Sequence, residues 1–191
     1  METKQIAIAW TDLTYRVKQF LWSEEKTILH RLNGSVEFGS ITALMGPSGA
    51  GKTTLLNCIN GKIRDGLDRS SKIYLNSNQK IRSCFVGQHE REHLIMCLTV
   101  RESLMFASKL KNSDIKSDTD PVCHVTNVKD IMDELLIDDI ADTRVECCSG
   151  GQQKRLTIAL EMTKKLKPNL LCIDEPTTGL DSNVAEIVSN L

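Results

Sequence analysis

Apolar side chains alternate along the opening segment: Ile6, Ile8 and Trp10, then Leu13, Tyr15 and Val17, recur at period two. Such alternation predicts a strand with one buried face. Val36 and Phe38 repeat the pattern ahead of Gly39, so the segment reads as an antiparallel β region. The run Ile41–Met45, bounded by Gly39 and Gly46, predicts a short buried strand. Thr53–Ile59 has helical spacing, with Gly61 as its stop. Lys72–Leu75 reads as an edge strand and Cys84–Val86 as a buried one.

Further on the period changes. Thr99 and Glu102 match a capping box, and Leu104, Phe106, Ala107 and Leu110 follow at helical spacing. Lys111–Val128, with Asn, Ser, Asp, Thr and Pro121, predicts a loop, and Val128–Leu136 a short amphipathic helix. Ser149 caps a predicted helix from Gly150 to about Lys165, with Leu156, Ala159, Leu160 and Thr163 on its inner stripe. Pro168 separates it from the apolar strand Leu170–Ile173, and Asn183–Glu186 opens a last helix. Strands alternating with helices, the helices gathered in the middle, predict an α/β fold.

Composition narrows the function classes. Over 191 residues, 24 Lys+Arg face 25 Asp+Glu, a net charge of −1. No basic footprint for nucleic acid follows from that balance, and none is expected as a partner. The longest strongly apolar runs, Ile6–Trp10 and Leu170–Ile173, fall far short of the roughly 18 residues of a bilayer span. The first residues lack a signal peptide's apolar stretch. The seven cysteines include no CxxC pair, which speaks against a disulfide framework or zinc site and for a reducing compartment. Most are expected to act as small buried apolar residues. The adjacent Cys123 and His124 have no second pair and read as loop chemistry rather than as a metal site.

Three constellations carry chemistry. Gly46-Pro47-Ser48-Gly49-Ala50-Gly51-Lys52-Thr53 fits G-x-x-x-x-G-K-[ST] between a predicted strand and a helix. Glycines let backbone N–H groups turn inward around phosphate oxygens, and the helix N-terminus adds partial positive charge. Lys52 would reach the β- and γ-phosphates, and the Thr53 hydroxyl is a hard ligand for Mg²⁺. A Gly-rich turn without a ligand is the bland alternative, but a chance match in a chain this long has odds of about one in a hundred. Second, Asp174 and Glu175 close the strand Leu170–Ile173, ahead of Pro176. Acids often end strands merely to meet solvent. With a phosphate loop in the same sheet, Asp174 is expected to hold Mg²⁺ through water and Glu175 to orient or deprotonate an attacking water. Third, Ser149-Gly150-Gly151-Gln152 opens a helix. It reads either as a plain cap or as a second anion site, which would serve a nucleotide bound to another subunit.

Taken together, these residues resemble an ATP-binding cassette (ABC) nucleotide-binding domain. The phosphate loop Gly46–Thr53, the signature Ser149–Gln152, the Walker B segment Leu170–Glu175 and the D-loop Gly179–Asp181 stand in that family's order, and Gln88 matches its Q-loop glutamine. The segments Trp10–Val17, Ile41–Asn57, Leu98–Glu102 and Lys154–Glu161 are similar to the G subfamily of White-like half-transporters. The resemblance implies a P-loop NTPase with a RecA-like core sheet, an N-terminal antiparallel β region and an inserted α-helical subdomain. It divides the chain into a core over 1–87 and 168–191 and a helical subdomain over 88–167, together one incomplete cassette over 1–191.

The same resemblance implies ATP and Mg²⁺ as cofactors and ATP hydrolysis driving transport across a membrane in the full-length protein. ATP would be held by Gly46–Thr53 with Thr54, and Mg²⁺ by Thr53, Gln88 and Asp174. Glu175 and Gln88 would be catalytic. Ser149, Gly150, Gly151 and Gln152 would act across a head-to-tail dimer on the partner's nucleotide, with Asp181 coupling the two sites. Adenine would stack on an aromatic, Tyr15 first, Phe20 or Trp22 otherwise; for Tyr15 a plain core-facing role is equally open. The partner is a second half-transporter, identical or not, and a multi-pass transmembrane domain is expected on the same full-length chain, with this domain on the cytosolic face.

Two departures stand out. Cys148 occupies a signature position where Leu or Ile is usual. The family's switch-loop histidine lies beyond the D-loop, and none of His30, His89, His93 or His124 falls there. The 191 residues are therefore expected to be a fragment or truncated product, with little or no activity in isolation. A non-catalytic ATP-binding or dimerisation module is the alternative. A P-loop kinase leaves the signature and the Asp174–Glu175 pair without a role. A soluble ABC protein of DNA repair fits poorly, since no sustained heptads lie between Lys52 and Ser149.

Overall fold

The computed structural model describes residues 5–17, 25–87, 94–113 and 123–174. These fall into two compact units, one over Met1–Phe85 and Asn169–Asp174, the other over Val86–Pro168.

The first unit opens with β1 (Ile6–Val17) and β2 (Lys26–Glu37), paired antiparallel, and β3 (Lys72–Leu75) completes a sheet of order β2-β1-β3. The predicted edge strand is thus an edge strand. The two halves of the β1 alternation differ in phase because the register shifts between Trp10 and Leu13, where Asp12 adopts a left-handed φ of 49°. That extra residue keeps both Trp10 and Leu13 buried. Ile6, expected to face inward, is exposed instead, since a further register shift separates it from Ile8. Trp10 lies flat over Gly34, its partner on β2; a Cβ there would stand 2.5 Å from the ring carbon Cζ2.

Next comes α1 (Lys52–Ile59), with Gly61 in the left-handed region just beyond it. Leu55 and Cys58 of α1 join Ile8, Trp10, Leu13 and Leu29 in the core. Burial pushes the Cys58 thiol up to about 11. Two more strands, β4 (Ser83–Val86) and β5 (Leu170–Ile173), pair with each other as buried segments. Leu170 and Cys172 extend the same core, and the Lys62 ammonium sits 4.1 Å from the Phe85 ring centroid, tying the end of α1 to β4.

Residues 41–45 depart from expectation. They form no strand, and Ile41, Leu44 and Met45 are exposed. An apolar run becomes a buried strand only when a neighbour accepts its backbone hydrogen bonds. Among the described residues β4 and β5 pair with each other and give this segment no partner.

The second unit is helical: α2 (Val100–Lys111), α3 (His124–Glu134) and α4 (Gly150–Met162), with 3-10 turns at Asp138–Ile140 and Val145–Cys147. The predicted capping box of α2 is present, Thr99 accepting from Glu102 N–H and Glu102 accepting from Thr99 N–H. Its buried stripe is Val100, Leu104 and Ser108; of the predicted stripe Leu104 is buried and Ala107 half-buried, whereas Phe106 and Leu110 face solvent. Ser108 can be buried because its hydroxyl bonds His124 Nδ1 and accepts from the Asn127 amide.

The same polar knot corrects two boundaries. α3 begins at His124, inside the predicted loop, because His124 and Asn127 reach α2 one turn ahead of the apolar residues Val128, Ile131 and Met132. α4 ends at Met162 rather than near Lys165. The Asn112 and Asn127 amides both donate to Thr163 O, and Asn112 Oδ1 accepts from Lys165 N–H, so this backbone is bonded outside the helix. The helix expected to open at Asn183 lies outside the described residues.

Gly34→Ala forces a methyl into the Trp10 ring and is expected to destabilise the protein by about 1–3 kcal/mol. Urea unfolding followed by tryptophan fluorescence reads this; an unchanged midpoint contradicts the packing described.

Candidate functional site

The phosphate loop is an exposed turn closed by Ala50 N–H donating to Pro47 O at 3.2 Å. Gly51, with φ of 90°, is the residue before α1, and its carbonyl accepts from Leu55 N–H at 2.8 Å. Only glycine suits it: the backbone is left-handed, and a Cβ would meet Leu29 Cδ2 at 3.0 Å. The hairpin strand β2 thus sets the height of the loop. Gly46, Pro47, Ser48, Gly49 and Ala50 precede it in the exposed turn, and Thr54 follows in the first turn of α1. The Lys52 ammonium folds back over the loop and donates to Gly46 O and Pro47 O, both at 2.9 Å.

One long-range bond organises this face. Thr53 Oγ1 donates to Asp174 Oδ2 at 2.6 Å, across 121 positions of sequence. Asp174 is buried, directly after β5, while Thr53 is exposed. A hydroxyl and a carboxylate so placed, one helical residue after a phosphate loop, form the hard-oxygen set that Mg²⁺ takes. The donor chemistry therefore fits that ion. Tyr15, opposite Leu29 on β1, is half-buried against the core, with the Gly66 backbone close to its ring edge.

In the second unit the signature segment is a capped helix start. Ser149 Oγ accepts from Gln152 N–H at 3.3 Å, and Gln152 Oε1 accepts from Ser149 N–H at 2.7 Å. Gly150 and Gly151 follow in the first turn of α4. Cys148, the unusual signature residue, is buried and its sulfhydryl donates to Arg144 O at 3.4 Å. A small apolar side chain is what the position holds.

Sequence reasoning missed Gln153. Its amide donates to Val145 O at 3.1 Å and to Cys148 O at 3.2 Å, fixing the turn that presents Ser149. A second glutamine after the capping glutamine was the available signal. Gln88, Glu175 and Asp181 lie outside the described residues, as do Phe20 and Trp22. The structure brings the loop, Thr53 and Asp174 together within one unit, and Ser149–Gln152 belongs to the other.

The sequence pattern of the ABC transporter family matches residues 29–178. "Multidrug resistance protein CDR2" of Candida albicans is 40% identical over 190 residues, covering 95% of this chain and 12% of that protein. "ABC transporter G family member 13" of Arabidopsis thaliana is 34% identical over 185 residues, covering 95% of this chain and 27% of that one. The chain therefore spans about a quarter or less of the length of these relatives. Among solved structures, cbiO1 of Clostridium perfringens, described as part of the ABC transporter complex cbiONQ, superposes with a TM-score of 0.76 at 23% identity. That match covers 98% of this chain and 74% of that one, and it speaks to the fold. No helix among the described residues is long and apolar enough to cross a membrane.

Ser149→Ala removes the cap and is expected to destabilise the helical unit by about 0.5–2 kcal/mol, Ser149→Gly by only a few tenths. Thermal unfolding followed by circular dichroism checks this; equal losses in both variants contradict the capping role.

Proposed function

The chain belongs to the ABC transporter family as one of its nucleotide-binding domains, and from that premise we propose that it binds MgATP and hydrolyses it to drive transport across a membrane. The observation that carries this reading is the Thr53–Asp174 bond, which sets a hydroxyl and a carboxylate at the end of the phosphate loop. Backbone N–H groups of Gly46–Thr53, with Thr54, hold the phosphates. Lys52, now bonded to Gly46 and Pro47 carbonyls, turns its ammonium to the β- and γ-phosphates. Thr53 and Asp174 would hold Mg²⁺, which would supply neutralisation of the charge developing on the transferred phosphoryl, and Gln88 would sense it together with the γ-phosphate.

Glu175 takes the proton of the attacking water as general base. Tyr15 is the adenine platform; support comes from its partial exposure and from its pairing with Leu29, whose side chain lies where a Cβ on Gly51 would stand. The signature acts in trans. Ser149, Gly150, Gly151 and Gln152 present a helix N-terminus and a hydroxyl to the γ-phosphate of a second half-transporter, identical or different. Asp181 couples the two sites. ATP binding then closes the dimer and hydrolysis reopens it, a population shift set by differential affinity. The domain lies on the cytosolic face, continuous with a transmembrane domain on the same full-length chain.

Titration of a fluorescent ATP analogue tests the core of this. Lys52→Ala is expected to weaken binding at least about tenfold, ~1.4 kcal/mol, whereas Glu175→Gln in the complete transporter keeps binding and loses most phosphate release. Unchanged affinity in the first variant overturns the phosphate-loop role, and wild-type turnover in the second overturns the base.

A further inference from the structure

Ser149 is exposed, and among the described residues its hydroxyl is bonded only by Gln152 N–H, at 3.3 Å. Its place therefore follows from the backbone beneath it. The peptide joining Cys148 to Ser149 is a rigid plane with a carbonyl acceptor on one side and an N–H donor on the other. Consecutive glutamines of α4 hold both. Gln152 Oε1 accepts from Ser149 N–H at 2.7 Å, and Gln153 Nε2 donates to Cys148 O at 3.2 Å. The other amide hydrogen of Gln153 goes to Val145 O at 3.1 Å, so both its donors are used. Val145 is a firm anchor. It is buried, its N–H donates to Leu98 O at 2.9 Å, and its carbonyl also accepts from Cys148 N–H at 3.1 Å. Gln152 alone restrains one atom of the Cys148–Ser149 plane, about which the plane can still tilt. The bond from Gln153 to the carbonyl removes that tilt.

Resting on the reading of Ser149–Gln152 as a site for the partner's nucleotide, we propose that Gln153 is the positioning residue of that site: it clamps the Cys148–Ser149 peptide to Val145 and so aims the Ser149 hydroxyl and the first N–H groups of α4 at the γ-phosphate. Both donors of Gln153 are spent in the turn, so it acts through Ser149 and not on the phosphate. What the position demands is two donors on a side chain long enough to reach two carbonyls. Lysine meets that demand with its ammonium, whereas methionine, of similar length, offers no donor. Donors stabilise charge on a phosphoryl group only where they are already in place, and a misplacement of roughly 1 Å can cost about 10²-fold in rate. Gln153 belongs to the helical unit and the phosphate loop to the other unit. Its loss therefore falls on turnover, while the chain's own phosphate loop keeps its grip on ATP. The Ser149–Gln152 cap does not involve the Gln153 side chain, so α4 keeps its N-terminal cap without it.

The test measures phosphate release and fluorescent-ATP affinity in the complete transporter carrying Gln153→Met, Gln153→Lys or Ser149→Arg. Gln153→Met is expected to slow release at least about tenfold with affinity unchanged, and Gln153→Lys to recover most of the rate. Rate and affinity lost together in Gln153→Met, as a general loosening of the fold gives, overturns the proposal. So does a Gln153→Lys transporter no faster than Gln153→Met. A wild-type rate in Gln153→Met beside an inactive Ser149→Arg overturns the proposal and leaves the signature reading standing. A wild-type rate in Ser149→Arg removes that reading, and the proposal with it.

Discussion

The hydrogen bond from Thr53 to Asp174 joins the start of α1 to the residue after β5, 121 positions apart in sequence. A hydroxyl bonded to a carboxylate contributes about 1.5–3 kcal/mol when desolvated, less where one partner is wet, as Thr53 is. Its larger consequence is positional. α1 cannot shift along its axis without dragging the loop that precedes it, and β5 cannot slide without moving the acid that follows it. The loop's height is set separately, by Leu29 beneath Gly51. A cradle for phosphate and a pair of hard oxygens are thereby held by different contacts, each anchored in the same apolar core of β1, β2, α1 and β5.

The helical unit solves a different problem, starting α4 without leaving its orphan donors unsatisfied. Ser149 and Gln152 satisfy two of them reciprocally. Gln153 holds the preceding turn from behind through two carbonyls, so the serine need not pack against anything to be fixed. At the far end of α4 the Asn112 and Asn127 amides both donate to the Thr163 carbonyl, which stops the helix and joins it to α2 and α3.

Features written in side-chain chemistry were legible in the sequence. The capping box at Thr99 and the helix cap at Ser149 stand where residue type and spacing placed them, and the phosphate loop opens α1 as its glycines require. What failed depended on partners the local pattern does not name. Ile41–Met45 had the hydrophobicity of a buried strand, but hydrophobicity does not specify which strand will accept its hydrogen bonds. On α2 the apolar stripe pointed to Phe106 and Leu110, while the buried face runs through Ser108, a polar residue made tolerable only by His124 and Asn127 from α3. The start of α3 and the end of α4 were misplaced for the same reason. Asparagine and histidine read as loop residues until their distant partners are known.

The central claim is that the Asp174 carboxylate and the Thr53 hydroxyl together hold the nucleotide's Mg²⁺. The direct measurement is ATP affinity by calorimetry, with Mg²⁺ and with a chelator, in the wild type and in Asp174→Asn, which keeps one oxygen able to accept from Thr53 while removing the charge and replacing the other oxygen with an amide nitrogen. The account predicts that Mg²⁺ tightens ATP binding in the wild type and that most of this gain vanishes in Asp174→Asn. An equal Mg²⁺ gain in both proteins would contradict it.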